Sequence, residues 1–223
     1  MTLFKSFLCL FSGTLLFFSA CAGDLTDFSR ELDFIELSFA HAALQPATSE
    51  NRLHVERRIM DFHTRLLAFY RKLQRQKVPG IPNFLAPAMT LKRTFESIKY
   101  TGSDVRIPRF KGTGMSHYYR EYQRYLRDKN MGEKKSRSER KYPTLKTVNI
   151  DSYKAWLDRT AQNYIQSLKR YSSRSSSGSK RKKRSSSRGL PGATRQQLED
   201  YVLQIVKLRL CFVQLAQNKF YKE

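Results

Sequence analysis

Residues 194–216, TRQQLEDYVLQIVKLRLCFVQLA, carry apolar side chains on two faces of a helix. One stripe is Leu198, Tyr201, Val202, Ile205, Leu208, Phe212 and Leu215; the other is Leu203, Val206, Leu210 and Val213. A surface helix needs only one apolar stripe. A helix with two must be surrounded, so this segment is expected at the centre of the fold. Thr194 and Gln197 have the spacing of a capping box, which would start the helix there.

Upstream, other segments supply the stripes that such a centre requires. Phe28, Leu32, Ile35, Phe39 and Ala42 recur at helical spacing until Pro46. Val55, Ile59, Phe62, Leu66, Phe69 and Leu73 do the same until Pro79-Gly80. Tyr153, Trp156, Leu157, Ala161, Tyr164, Leu168 and Tyr171 mark another face, with Asp151 or Asn149 as the cap. Side chains at these spacings share one side of a helix, and each side has to be buried. Between these lie shorter candidates. Leu91, Phe95 and Ile98 suit a short helix ending near Gly102. Met115, Tyr118, Tyr119, Tyr122 and Tyr125 or Leu126 suit another, stopping by Gly132. VPGIPNFLAPAM, residues 78–89, holds three prolines and cannot be one helix. SDVRIPRFKGTG, residues 103–114, reads as a loop. No alternating strand pattern of useful length occurs. The expected fold is all-α, a helical bundle of about four main helices plus one or two short ones, with long basic loops at 132–148 and 172–192.

The opening residues have the three parts of a secretory signal. Lys5 supplies the charge, residues 7–18 are almost wholly apolar, and Ala20-Cys21-Ala22 places small residues for cleavage after Ala22. Residues 1–22 are therefore expected to be a signal peptide and 23–223 a single helical domain, secreted to the extracellular space, with no transmembrane segment. A rival reading makes Cys21 the lipidated residue of a bacterial lipoprotein signal. Removal of 1–22 takes Cys9 and Cys21 and leaves Cys211 alone. The fold then rests on packing rather than on an internal disulfide. Cys211 reads either as a buried small hydrophobe or as the link of a disulfide-bonded dimer.

The formal net charge is +23, and it is unevenly placed. Residues 24–36 are acidic, with Asp24, Asp27, Glu31, Asp33 and Glu36 against Arg30. From Arg159 to Arg195 there are eleven Lys or Arg and no Asp or Glu. Arg106 to Lys146 holds thirteen bases against four acids. An excess of this size draws a protein towards polyanions. Outside the cell these are sulfated glycosaminoglycans, anionic membranes and extracellular nucleic acid.

Residues 172–189, SSRSSSGSKRKKRSSSRG, have no apolar side chain and no acid. The composition offers nothing to bury, so it reads as a flexible linker. Lys180, Arg181, Lys182, Lys183, Arg184 and Arg188 are its candidate polyanion-binding residues. Arg181 to Arg184 also resemble a furin-type convertase signal, with cleavage after Arg184. A nuclear localisation sequence is the remaining reading of the same residues.

No catalytic constellation accompanies this charge. His41, His54, His63 and His117 lack the spacing of metal ligands, and no Walker loop, GxSxG or GxGxxG occurs. FKGTGMSH, residues 110–117, has two glycines but neither a preceding strand nor a Gly-Lys-Ser/Thr ending, and reads only as a loop. The chain is not expected to be an enzyme, nor to need a metal or cofactor. Its layout of long helices, crossover loops and an apolar last helix resembles the secreted helical cytokines in architecture. That resemblance implies a receptor-binding ligand with contacts on exposed faces of the first and last helices. Basic segments would hold it on glycosaminoglycan. The competing expectation is a secreted polyanion-binding protein without a receptor, of reproductive, venom or antimicrobial type. A third is a secreted effector that enters nuclei through KRKKR.

Overall fold

The stripe of residues 28–42 lies on the first helix, and every member of it is fully buried. In the computed structural model, which describes residues 25–102, 105–128, 143–173 and 189–221, this helix is α1, Leu25–Ala43. It is followed by α2, Glu50–Arg75, and α3, Leu85–Ser97. Then come α4, Met115–Asp128, α5, Ile150–Ser173, and α6, Gly192–Ala216. The described residues contain no strand, so the fold is all-α.

The last helix is central. It packs on α1, α3 and α5, while α2 lies outside against α1 and α3. All of its first stripe is buried, and of the second stripe Val206 and Val213 are buried too. Phe39 of α1 stacks on Tyr201 at 4.2 Å, and Phe28 meets both Phe62 and Phe69 of α2 and Phe212 of α6. Buried apolar side chains from all six helices form one cluster. Leu203 departs from the expectation. It points to solvent at 43% exposure, because the face beyond α5 and α3 has no neighbour among the described helices.

Helix starts were the least legible detail. The capping box at Thr194 does not form: α6 begins at Gly192, behind Pro191 as its N-cap. Proline's fixed φ suits that position and leaves Thr194 buried inside the first turn. Gln197 instead donates through Nε2 to Ser97 Oγ at 2.9 Å, tying α6 to the end of α3. At α5 the expected alternative is decided for Asn149, whose Oδ1 accepts from the Ser152 amide at 2.9 Å. α3 starts earlier than the prolines suggested. Pro87 sits in its first turn, where a missing N–H removes no helical bond.

Arg52 is a second finding that charge counting hid. Its guanidinium is buried and donates to Ala43 O and Gln45 O (3.2 Å) at the end of α1. It also donates to Ile98 O (2.8 Å) at the end of α3. One side chain thus answers the unpaired carbonyls of two helix C-termini. Arg58 pairs with Glu31 through two bonds of 2.7 and 2.6 Å and lies 3.8 Å over the Phe34 ring. Part of the basic charge on α2 is therefore structural.

Candidate functional site: a basic, aromatic-floored cleft

Helix α4 owes its position to a polar network at the centre of the molecule. Arg209 of α6 is 1% exposed, and so is Glu36 of α1. The guanidinium donates to Ser29 O and Oγ at 3.1 and 3.0 Å, to Glu36 Oε2 at 3.0 Å, and to Asp33 Oδ1. The other Glu36 oxygen accepts from both the amide and the hydroxyl of Thr113. Thr113 O in turn accepts from the Tyr153 hydroxyl of α5 at 2.9 Å. Four parts of the chain meet here, and the ions have each other as partners, which is the condition for burying them at all. Burial pushes the Glu36 carboxyl above its ordinary range, against the pull of Arg209 and Thr113. Burial also disfavours the Arg209 cation, but Glu36 and Asp33 outweigh it and hold the guanidinium charged.

The segment around Thr113 is shaped for this contact. Gly112 has φ +80°, a region L side chains avoid. Gly114 lies so close to α1 that a Cβ there would come within 2.5 Å of Asp33 Oδ1. What reads in sequence as only a loop is the anchor that starts α4.

From that anchor α4 leans on α5 through its first turn. Tyr118 meets Tyr153 and Trp156 edge-on at 5.1 and 5.4 Å, and His117 meets Trp156 at 5.5 Å. Trp156 stacks on Tyr153 at 5.9 Å and 12°. Beyond this turn a cleft of about 830 Å³ opens between α4, α5 and the 105–114 segment. Trp156, Phe110 and Tyr164 form its apolar part, and Arg109, Lys111, Arg124 and Arg159 its charge. The one acid among its described lining residues, Glu121, accepts from Arg124 at 3.0 Å. Arg109, Lys111 and Arg159 have no carboxylate partner among the described residues. His117 Nδ1, in the wall, is buried without a hydrogen-bond partner among them.

Of the tyrosines on the expected face of α4, Tyr118 is core, at 9% exposure. The second basic zone contributes Arg109, Lys111 and Arg124 to the cleft, but nothing in their spacing revealed that α5 would complete it with Trp156 and Arg159. Other expected sites fall elsewhere. Lys180, Arg181, Lys182, Lys183, Arg184 and Arg188, the bond after Arg184, the bond after Ala22 and Cys21 all lie outside the described residues, as does most of the 132–148 loop. Cys211 is free and half-buried on α6, and burial pushes its thiol up. His41 and His54 are exposed, while His63 and His117 sit at the boundary. Among the described residues no group of His, Cys, Asp and Glu is placed to hold a metal ion, and no helix is long and apolar enough to cross a membrane. Set against protein-family models, curated proteins and solved structures, the chain gives no match.

Proposed function

We propose that the protein is a secreted helical-bundle ligand that binds a cell-surface receptor and is held near its source by glycosaminoglycan. The observation that carries the retention half is the cleft, where three cations converge without a carboxylate partner among the described residues. Elsewhere some arginines are paired, as Arg58 and Arg65 with Glu31, and others, such as Arg57, Arg71 and Arg93, have no acid partner among the described residues; what supports the reading is that three unpaired cations share one concavity. The receptor half rests on the secretory signal and on the all-helical architecture. Leu37 on α1 and Leu203 on α6 are 62% and 43% exposed, and offer apolar contacts on the two helices such ligands present.

The second reading, a polyanion binder without a receptor, draws on the same cleft and separates from the first by salt. Purified protein would be applied to cultured cells, and bound surface proteins captured at low and high ionic strength. A ligand keeps one protein partner at high salt, whereas a pure polyanion binder elutes completely. Protein retained in the cytosol or nucleus of the producing cell would sink both extracellular readings.

A further inference from the structure

We infer that the cleft between α4 and α5 is a binding site for a short sulfated saccharide, with one sugar ring on the Trp156 indole and its sulfates on Arg109, Lys111 and Arg159. The inference rests on the retention reading above and gives it a site. Its volume, about 830 Å³, lies within the range of pockets that enclose small ligands. A flat basic patch would hold a polyanion without selecting it. A concavity adds walls, and these walls have three distinct chemistries.

The cations answer sulfate. Guanidinium groups bind tetrahedral oxyanions through paired N–H donors, and no carboxylate among the described residues competes for Arg109 or Arg159. The indole answers the sugar ring. Trp156 is half-buried, fixed from beneath by Tyr153 and from the side by Tyr118 and His117, so it presents a rigid apolar plate. The remaining polar lining answers hydroxyls. Ser152, Thr160 and Asn163 lie along the α5 wall.

A single-stranded nucleic acid fits less well. Such chains stack successive bases on successive aromatic platforms. Here Tyr118, Tyr153 and Tyr164 are buried, and among the described phenylalanine, tyrosine and tryptophan side chains of the cleft only Trp156 and Phe110 are part-exposed, too few for a track.

Trp156 is the chain's one tryptophan, so its emission reports this cleft and nothing else. The test titrates the purified full chain with a heparin-derived hexasaccharide, reading tryptophan emission and calorimetric heat together. A saturable emission change tracking the heat is expected. Arg109→Ser with Arg159→Ser, both exposed positions, should weaken it by at least about tenfold. Serine at Lys180 to Arg184 and at Arg188 should leave the emission change in place. Heat with silent emission, or an unchanged response in the cleft variant, would overturn the cleft while leaving retention standing. An equal response to the desulfated hexasaccharide or to single-stranded DNA would overturn the sulfated-sugar assignment. No heat at all near physiological salt would instead remove the retention reading beneath it.

Discussion

Arg209 shows how a single residue can be misread when charges are counted along a chain. By sequence it is one base in an apolar helix, and Asp33 and Glu36 are two acids on an acidic one. In the structure they are the buried centre that joins α1, α6, the 112–114 turn and α5. Replacing one member of such a group strands the rest. Arg209→Met is expected to cost about 3 to 5 kcal/mol in urea unfolding, because Glu36 is then a buried carboxylate without its cation. The variant also carrying Glu36→Gln should recover part of that loss, and full additivity of the two would show that the pair is not coupled. The buried tyrosines give a pH dependence. Burial raises the Tyr164 hydroxyl from 10.0 to about 12, and Tyr153 and Tyr201 move further in the same direction. Each folded value lies above the unfolded one. Their contribution is therefore complete below pH 10 and fades as pH rises beyond it. Absorbance titration should find these phenols ionising together with the loss of helical circular dichroism, not before it.

Among the elements, α4 is held at its start by the 112–114 turn as well as by Tyr118. Gly114→Ala would push a methyl into Asp33, which is held by Arg209 and cannot simply swing away. A destabilisation of about 1 to 3 kcal/mol is expected, with a red shift of Trp156 emission as Tyr118 lifts from it. Gly192→Ala is the contrasting control. Nothing lies within 4 Å of a Cβ there, and the substitution should be neutral or slightly stabilising in the same unfolding assay. For α6 the stripes on both faces explain a different outcome. If a convertase cuts after Arg184, the piece from Ser185 to Glu223 has no disulfide to hold it, yet its helix is packed on α1, α3 and α5. Cleaved protein should run as one species in native gel filtration and separate into two only in denaturant. Two peaks in native buffer would show that this packing is insufficient.

For the molecule as a whole, the net charge of +23 divides into cations that the fold uses and cations it leaves outward. Arg52, Arg58 and Arg209 belong to the first group, and Arg109, Lys111 and Arg159 to the second. If five basic residues of the 180–188 segment contact a sulfated chain, affinity should fall about 200-fold between about 0.15 M and about 0.5 M salt. Serine at all six bases of the segment, Lys180 to Arg184 and Arg188, should flatten that slope on heparin, and an unchanged elution would exclude the segment as a clamp. The all-α class, the stripes of α1 and α2, that of α5 as far as Leu168 (Tyr171 is exposed) and the central place of α6 could be read from periodicity alone. The spacing of apolar residues states which side of a helix must be buried, and that is a local property. Which charges are buried was not legible, since Glu36 and Arg209 meet only after α1 and α6 pack, 173 residues apart in the chain. The cleft had the same obstacle. Arg109 and Lys111 come from one part of the sequence and Arg159 and the indole from another, and the Thr113 anchor, a contact between a turn and α1, helps bring them to one side of the fold. Periodicity can specify a face, but a site made of several faces exists only once tertiary packing has set them against each other.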